Sequence, residues 1–342
     1  MKKQFLLSII ASMIFSCTFA QTPDEYSFKK SYKVATPAEM FISTNDGFIN
    51  AIAKNTDQIQ VFFIVKKNNR VVDMDLEELE EHLDVDISSS NDNLEIIIRQ
   101  KETSWVRNWK DKYYVSLHIL APERTSSELK SSDGDIDMVG FKGNQSCRTS
   151  DGDIRAEEII GDLYAKTSDG DINVSEIDGT LESQTSDGDI RASNVKGEAS
   201  FKSSDGKIVA INIMGDTKAT TSDGNITLEE IKGDHTARTS DGDIVFENLQ
   251  GSISAQTSDG NIKGDLNSLT NKLYLKTSDG DISVSVPGGL GMDINLRGED
   301  INMRLDDFSG ETSDHKIEGT IRGGGVDVEL ITSDGDINFN YN

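Results

Sequence analysis

Ser-Asp-Gly begins at Ser132, Ser150, Ser168, Ser186, Ser204, Ser222, Ser240 and Ser258, always 18 residues apart. Further copies start at Ser278 and Ser333, with a damaged one at Ser313-Asp314-His315 and a worn one at Arg297-Gly298-Glu299-Asp300-Ile301 between them. A fixed period of this size means stacked structural units. Within a unit counted from Thr149, the sixth place is Ile136, Ile154, Ile172, Ile190, Ile208, Ile226, Ile244 and Ile262. The eighth and eleventh places are also apolar, and the thirteenth is glycine from Gly143 to Gly251. Apolar columns stepping by two indicate strands. Two recurrent glycines per unit indicate two sharp corners, where positive φ or close backbone approach is needed.

The expected fold is therefore all-β. It is a parallel β-solenoid of about 18-residue turns, in which isoleucine stacks on isoleucine. About eleven turns at the usual strand spacing give a rod of roughly 50 Å. A thin rod needs little core, which fits an apolar fraction of only 35%. A meander of hairpins is the alternative, but it has no need of identical corner chemistry in every copy.

The third place is always Asp, including Asp151, Asp169 and Asp187, each followed by a glycine, Gly152, Gly170 and Gly188. The preferred reading is structural. The Asp caps its own turn by accepting a backbone N–H, the glycine takes a left-handed slot, and the fifth-place residue faces solvent. The functional alternative is a carboxylate ladder binding Ca²⁺ between turns. Against it, Lys207 stands in the fifth column and calcium-roll glycine spacing is missing.

Lys2 and Lys3, an apolar run from Phe5 to Phe15 and Thr18-Phe19-Ala20 form a secretory signal peptide over residues 1–20. The run is too short to span a bilayer, and nothing after it is apolar enough. Ile14-Phe15-Ser16-Cys17 offers a second reading, a lipid anchor on Cys17, although bulky Phe15 sits poorly beside a processed cysteine. After cleavage Cys147 is the one remaining cysteine, expected as a buried thiol.

The chain holds 34 Lys plus Arg against 60 Asp plus Glu, a net charge of −26. That balance excludes a phosphate-backbone binder, so no nucleic-acid partner is expected. The acidity belongs to the repeats: residues 21–130 carry 14 − 19 = −5, and residues 131–342 carry 18 − 41 = −23. The expected divisions are an irregular capping region over 21–130, a regular array over 131–276 and irregular C-terminal turns over 277–342. Asp75 with Leu76, Leu79 and Leu83 predicts one short capped helix over 75–83. Such a cap shields an open solenoid end from edge pairing. Trp105, Trp109 and Tyr113 lie together with three basic residues. They form a candidate aromatic platform for a glycan or acidic partner, against the plainer reading of an aromatic hairpin on the cap.

The Thr-Ser-Asp-Gly-Asp-Ile copies, the Pro287-Gly288-Gly289 interruption and the closing Gly323-Gly324-Gly325…Thr332-Ser333-Asp334-Gly335-Asp336-Ile337 resemble a bacterial family. It is a domain-of-unknown-function family of β-strand-repeat proteins described as putative adhesins. The resemblance runs from about Ala38 to the end. It implies a β-repeat scaffold and carries over no catalytic or binding residue.

His82, His118, His235 and His315 lack metal-ligand spacing, and there is no nucleophile elbow or phosphate loop. No cofactor or metal is therefore expected. The sequence points to an exported, non-catalytic protein at the bacterial envelope or surface. It would be a putative adhesin or binding scaffold whose partner is a surface glycan or protein. The competing class is a carbohydrate-active β-helix enzyme, a polysaccharide lyase or glycoside hydrolase. That class needs one turn to differ from its neighbours.

Overall fold

The computed structural model describes residues 23, 25–101 and 112–341. Successive turns pair in parallel, at a register of one repeat. Ile154 lies beside Ile172, Ile172 beside Ile190 and Ile190 beside Ile208. A second parallel ladder stacks Leu163 on Leu181 and Leu181 on Ala199. The solenoid reading therefore holds and the hairpin meander does not. Every sixth-place isoleucine from Ile136 to Ile262 is 0% exposed. One continuous core runs the length of the rod between the two ladders.

The apolar columns step by two from place six to place eight, then by three to place eleven. A left-handed residue at place ten causes this reset. Glu158, Glu176, Asn194, Asn212, Glu230 and Asn248 all have φ between 54° and 57°, and Gly140 stands in the same column at 83°. A single αL residue kinks the strand, so residue eleven points inward again. Each turn thus has three corners, where the glycines alone indicate two.

The expected helix spans Leu76–His82. Asp75 caps it, accepting from the Glu78 N–H at 3.0 Å while the Glu78 carboxylate accepts from the Asp75 N–H at 3.1 Å. Among the described residues, no helix is long and apolar enough to cross a membrane. Cys147 is fully buried in the seventeenth column, and burial pushes its thiol up to about 12.

Sequence order fails at both ends of the stack. The strand Ala38–Ser43 lies between Thr125–Lys130 and Asn93–Gln100. Ile49–Lys54 likewise lies between Ile136–Val139 and Tyr113–Pro122. At the far end, Val326–Ile331 is inserted between Lys272–Lys276 and Met292–Arg297. Ile337–Tyr341 is inserted between Ile282–Val286 and Ile301–Met303. The worn copy at Ile301 is therefore stacked outside the copy that follows it in sequence. Both terminal repeats sit one layer inside the rod, where a strand has partners on both sides and fraying is opposed.

Candidate functional site

The repeat presents straight columns of mostly like polar side chains, and their chemistry begins at the Ser-Asp-Gly corner. The first-place hydroxyl of Thr167 lies 3.0 Å from both the Ser150 and Gly152 carbonyls of the turn below. It also accepts from the Gly170 N–H at 3.3 Å. Thr149, Thr185, Thr221 and Thr239 bond to the turn below in the same way. The fifth-place side chain supplies the second rung: the Asp153 N–H donates to Asp135 Oδ1 at 2.9 Å, Asp171 to Asp153 at 3.0 Å and Asp189 to Asp171 at 2.8 Å.

Three expectations are corrected at this corner. The turn-to-turn bonds come from the first and fifth places. Among the described residues the third-place carboxylates of Asp151, Asp169 and Asp187, which are exposed, make no hydrogen bond. The fifth-place carboxylates bind backbone and do not simply face solvent. Nor is the fourth-place glycine left-handed. Gly152, Gly170 and Gly188 are required because backbone stacks directly on backbone: a Cβ on Gly170 would lie 2.0 Å from the Gly152 carbonyl oxygen. The left-handed glycines are those at place thirteen, such as Gly161 at 136°.

Asn225 and Asn261 preserve the fifth-place rung because an amide oxygen accepts as a carboxylate does. Lys207 cannot accept. Its own N–H donates to Asp189 Oδ1, but it offers nothing to the Asn225 N–H above it. Replacing Lys207→Asn is expected to complete the ladder without adding another carboxylate, raising stability by ~1 kcal/mol. Urea unfolding of the variant checks this; a midpoint at or below that of the parent would contradict it.

Outside the core, two open grooves run along the rod. One, of about 690 Å³, follows the outward side chains of places fourteen and sixteen from Thr180 to Lys272. Glu198, Asp216 and Asp234 form its acidic column, and Ser200, Thr236 and Ser254 leave the sheet bare beside it. The other, of about 630 Å³, follows the place-ten corner past Glu158, Glu176, Asn194 and Asn212. Burial pushes the Glu157 carboxyl up beside this corner, and neighbouring Glu158 and Glu176 add to the effect. Both grooves are repeated features; the first also has Asp234, His235 and Thr236 of one turn in its lining, with the His235 side chain turned inward and 3% exposed.

Of the aromatic platform, Trp105 and Trp109 lie outside the described residues. Tyr113 is half-buried against the cap. Its ring stacks on His82 at 4.4 Å, and Lys67 Nζ sits over it at 4.7 Å and 3.2 Å from its hydroxyl. The histidines are also scattered: His315 Nδ1 lies 2.7 Å from the Glu299 carbonyl, at the opposite end of the chain from His82.

A profile of the family described as Toastrack DUF4097 matches residues 38–237 and, in a second placement, residues 157–340. The chain belongs to the Toastrack DUF4097 family. Three solved structures are similar to this Toastrack chain. A putative adhesin from Parabacteroides distasonis is 13% identical, with 75% of this chain and 96% of that chain covered and a TM-score of 0.43. For a putative adhesin from Bacteroides fragilis the identity is 15%, with the same two coverages and a TM-score of 0.34. A putative cell adhesion protein from Clostridium sporogenes is 12% identical, with 92% and 99% covered and a TM-score of 0.23. At such scores none of the three fixes the architecture, which rests on strand register. A search of curated proteins found no match.

His235 is the buried group that sequence patterning missed. It occupies the inward fifteenth column with Leu163, Leu181 and Ile253, and is 3% exposed. Neither ring nitrogen completes a hydrogen bond. Burial pushes the imidazole down to about 4, against the pull of Asp216, the Gln250 carbonyl and Asp234. Because the folded value lies below the ordinary 6.5, the unfolded chain binds the extra proton. The stability contributed is full above pH 6.5 and is lost as pH falls toward 4, by about 3 kcal/mol. Asp137 opposes this trend: burial raises its carboxyl, so its contribution grows as pH falls. His235→Leu isolates the imidazole. The gap between variant and parent in chemical denaturation should widen from pH 7.5 to pH 4.5. A gap independent of pH would refute the assignment.

Proposed function

We propose that this Toastrack protein is an exported, non-catalytic, adhesin-like scaffold of the bacterial envelope or surface. Its array would offer a repeated polar face to a surface glycan or protein. The observation that carries the reading is the constant one-repeat register of the turns from Ile154 to Met214, which sets like side chains one repeat apart in straight columns. Identical columns suit multivalent contact, because weak contacts repeated along a rod add avidity. The signal-peptide pattern of residues 1–20 supports export. The net charge of −26 supports solubility and mutual repulsion, and disfavours docking on anionic lipid.

The test is a screen of the purified protein against immobilised glycans and intact bacterial surfaces, with the same preparation incubated with acidic and neutral polysaccharides. Saturable binding without cleavage is expected. Trp105→Ala with Trp109→Ala should weaken it without lowering the melting temperature. Depolymerisation of a polysaccharide, abolished by a single Asp substitution in either groove, would replace this reading with the carbohydrate-active enzyme.

A further inference from the structure

A solenoid ends in strands whose outer backbone groups are unpaired, and each such edge invites another strand. Among the described residues, and leaving aside the two-residue strand Arg70–Val71, this rod has four edge strands. At the N-terminal end, Phe28–Lys33 pairs only with Gln58–Lys67, and Leu83–Ser89 pairs only with Asn93–Gln100. At the C-terminal end, Ile301–Met303 pairs only with Ile337–Tyr341, and Phe308–Ser313 pairs only with Lys316–Ile321. Three of the four carry a recognised protection. Phe28–Lys33 holds Lys29, Lys30 and Lys33; Leu83–Ser89 carries Asp84 and Asp86 and adjoins the helix; Ile301–Met303 is three residues long.

Phe308–Ser313 is the least protected, with one acid, Glu311, no lysine and no adjoining helix. It is six residues long, contains no lysine or proline, and is exposed at every position from Ser309 to Ser313. Its single charge is Glu311, and Asp306, Asp307 and Asp314 flank it. A second copy of the same edge is therefore a poor partner, since acidic groups would meet acidic groups. The lysine-bearing edge at the other end of the molecule is complementary in both length and sign. Lys29 is occupied by Gln60 at 2.8 Å and lies over the Phe62 ring, whereas Lys30 and Lys33 have no ion pair among the described residues.

We infer that the acidic edge Phe308–Ser313 of one molecule adds to the basic edge Phe28–Lys33 of a second copy, linking rods head to tail. Each edge already belongs to an antiparallel pair, so antiparallel addition extends the same pattern into a ribbon through the junction. With the two six-residue strands in full overlap, Lys30 stands opposite Glu311, and Tyr32 opposite Ser309. The contact is heterologous: it leaves one edge of each kind free on every linear oligomer, so further copies can add. It does not depend on what the array itself binds.

Sedimentation of the purified protein over a dilution series, at low and high salt, tests the assembly. An open-ended series of oligomers is expected, shrinking as salt screens the Lys30–Glu311 pair. Glu311→Lys and Lys30→Glu should each weaken association about tenfold. Mixing the two variants, or combining both changes in one chain, should restore it, while circular-dichroism melting stays at the parent value. A single species at every concentration in low salt would overturn the inference. So would oligomers that neither substitution weakens, or a failure of the mixed and double variants to recover.

Discussion

Deleting residues 326–342 is expected to unfold the whole C-terminal end of the rod and not merely to shorten it. In a stack built in sequence order, the last strand is also the outermost, and its loss exposes one fresh edge. Here Val326–Ile331 and Ile337–Tyr341 occupy the layer beneath Met292–Arg297 and Ile301–Met303. Removing them strands the outer layer, since Ile301–Met303 has no other sheet partner and Met292–Arg297 keeps only Lys316–Ile321. Val328, Leu330, Ile337, Phe339 and Tyr341 are all buried. At about 2 kcal/mol each, their loss removes on the order of 10 kcal/mol of apolar burial, an upper value because the unfolded chain already hides some of it. Nearest-neighbour coupling should confine the damage. The central turns should still melt as a β-protein, whereas trypsin should cut quickly at Arg297, Arg304 and Lys316. Unchanged protection of those three sites would show that the outer layer holds itself up, contrary to the observed pairing.

That layer order marks where sequence reading stops. The 18-residue period is local, so it reveals parallel stacking, the isoleucine ladder and the burial of Cys147 directly. Asp75 and Glu78 likewise announce the helix start, because a capping box is complete within four residues. Which turn lies above which is a non-local fact. Ile301 and Ile337 carry the same motif, and nothing in either copy says that the second fills the gap beneath the first.

The corner chemistry was half legible. Thr167 and Asp171 look like ordinary turn formers, and Thr167 does accept from Gly170 in its own turn, but both also bond to the neighbouring turn. The left-handed corner did leave a trace: the apolar columns jump by three from Ala156 to Ile159, and Asn194, Asn212 and Gly140 in the same column are residues that tolerate positive φ. Glu158, Glu176 and Glu230 obscured it, being residues that rarely adopt that conformation. Tyr113 fits the plainer of its two readings, packing on the cap. An aromatic beside basic residues reads as a platform, yet its stacking on His82 and its contact with Lys67 turn it toward the cap.

Gly188→Ala should be among the most damaging single substitutions in the array, although it adds one methyl group. The Cβ would lie 2.0 Å from the Gly170 carbonyl oxygen and 2.5 Å from its carbon. Both atoms are backbone, so no side chain can swing aside. The turn must lift off the one below, where the Ser186 N–H to Ser168 carbonyl bond and the Asp189 N–H to Asp171 Oδ1 bond hold it at 2.9 Å and 2.8 Å. The turn above is equally committed, because Gly206 approaches the Gly188 carbonyl oxygen just as closely. A mid-array fault of this kind cannot fray away, so its cost should exceed ~4 kcal/mol, outside the ordinary range for one residue. Gly289→Ala is the discriminating control. Gly289 has φ of 84° with nothing within 4 Å of an added Cβ, so it pays only the left-handed penalty of ~1–2 kcal/mol. If fourth-place glycines served conformation instead of contact, the two alanine variants would lose similar stability in urea. The stacked backbone requires that Gly188→Ala lose several times more, and that Gly188→Ser fare no better.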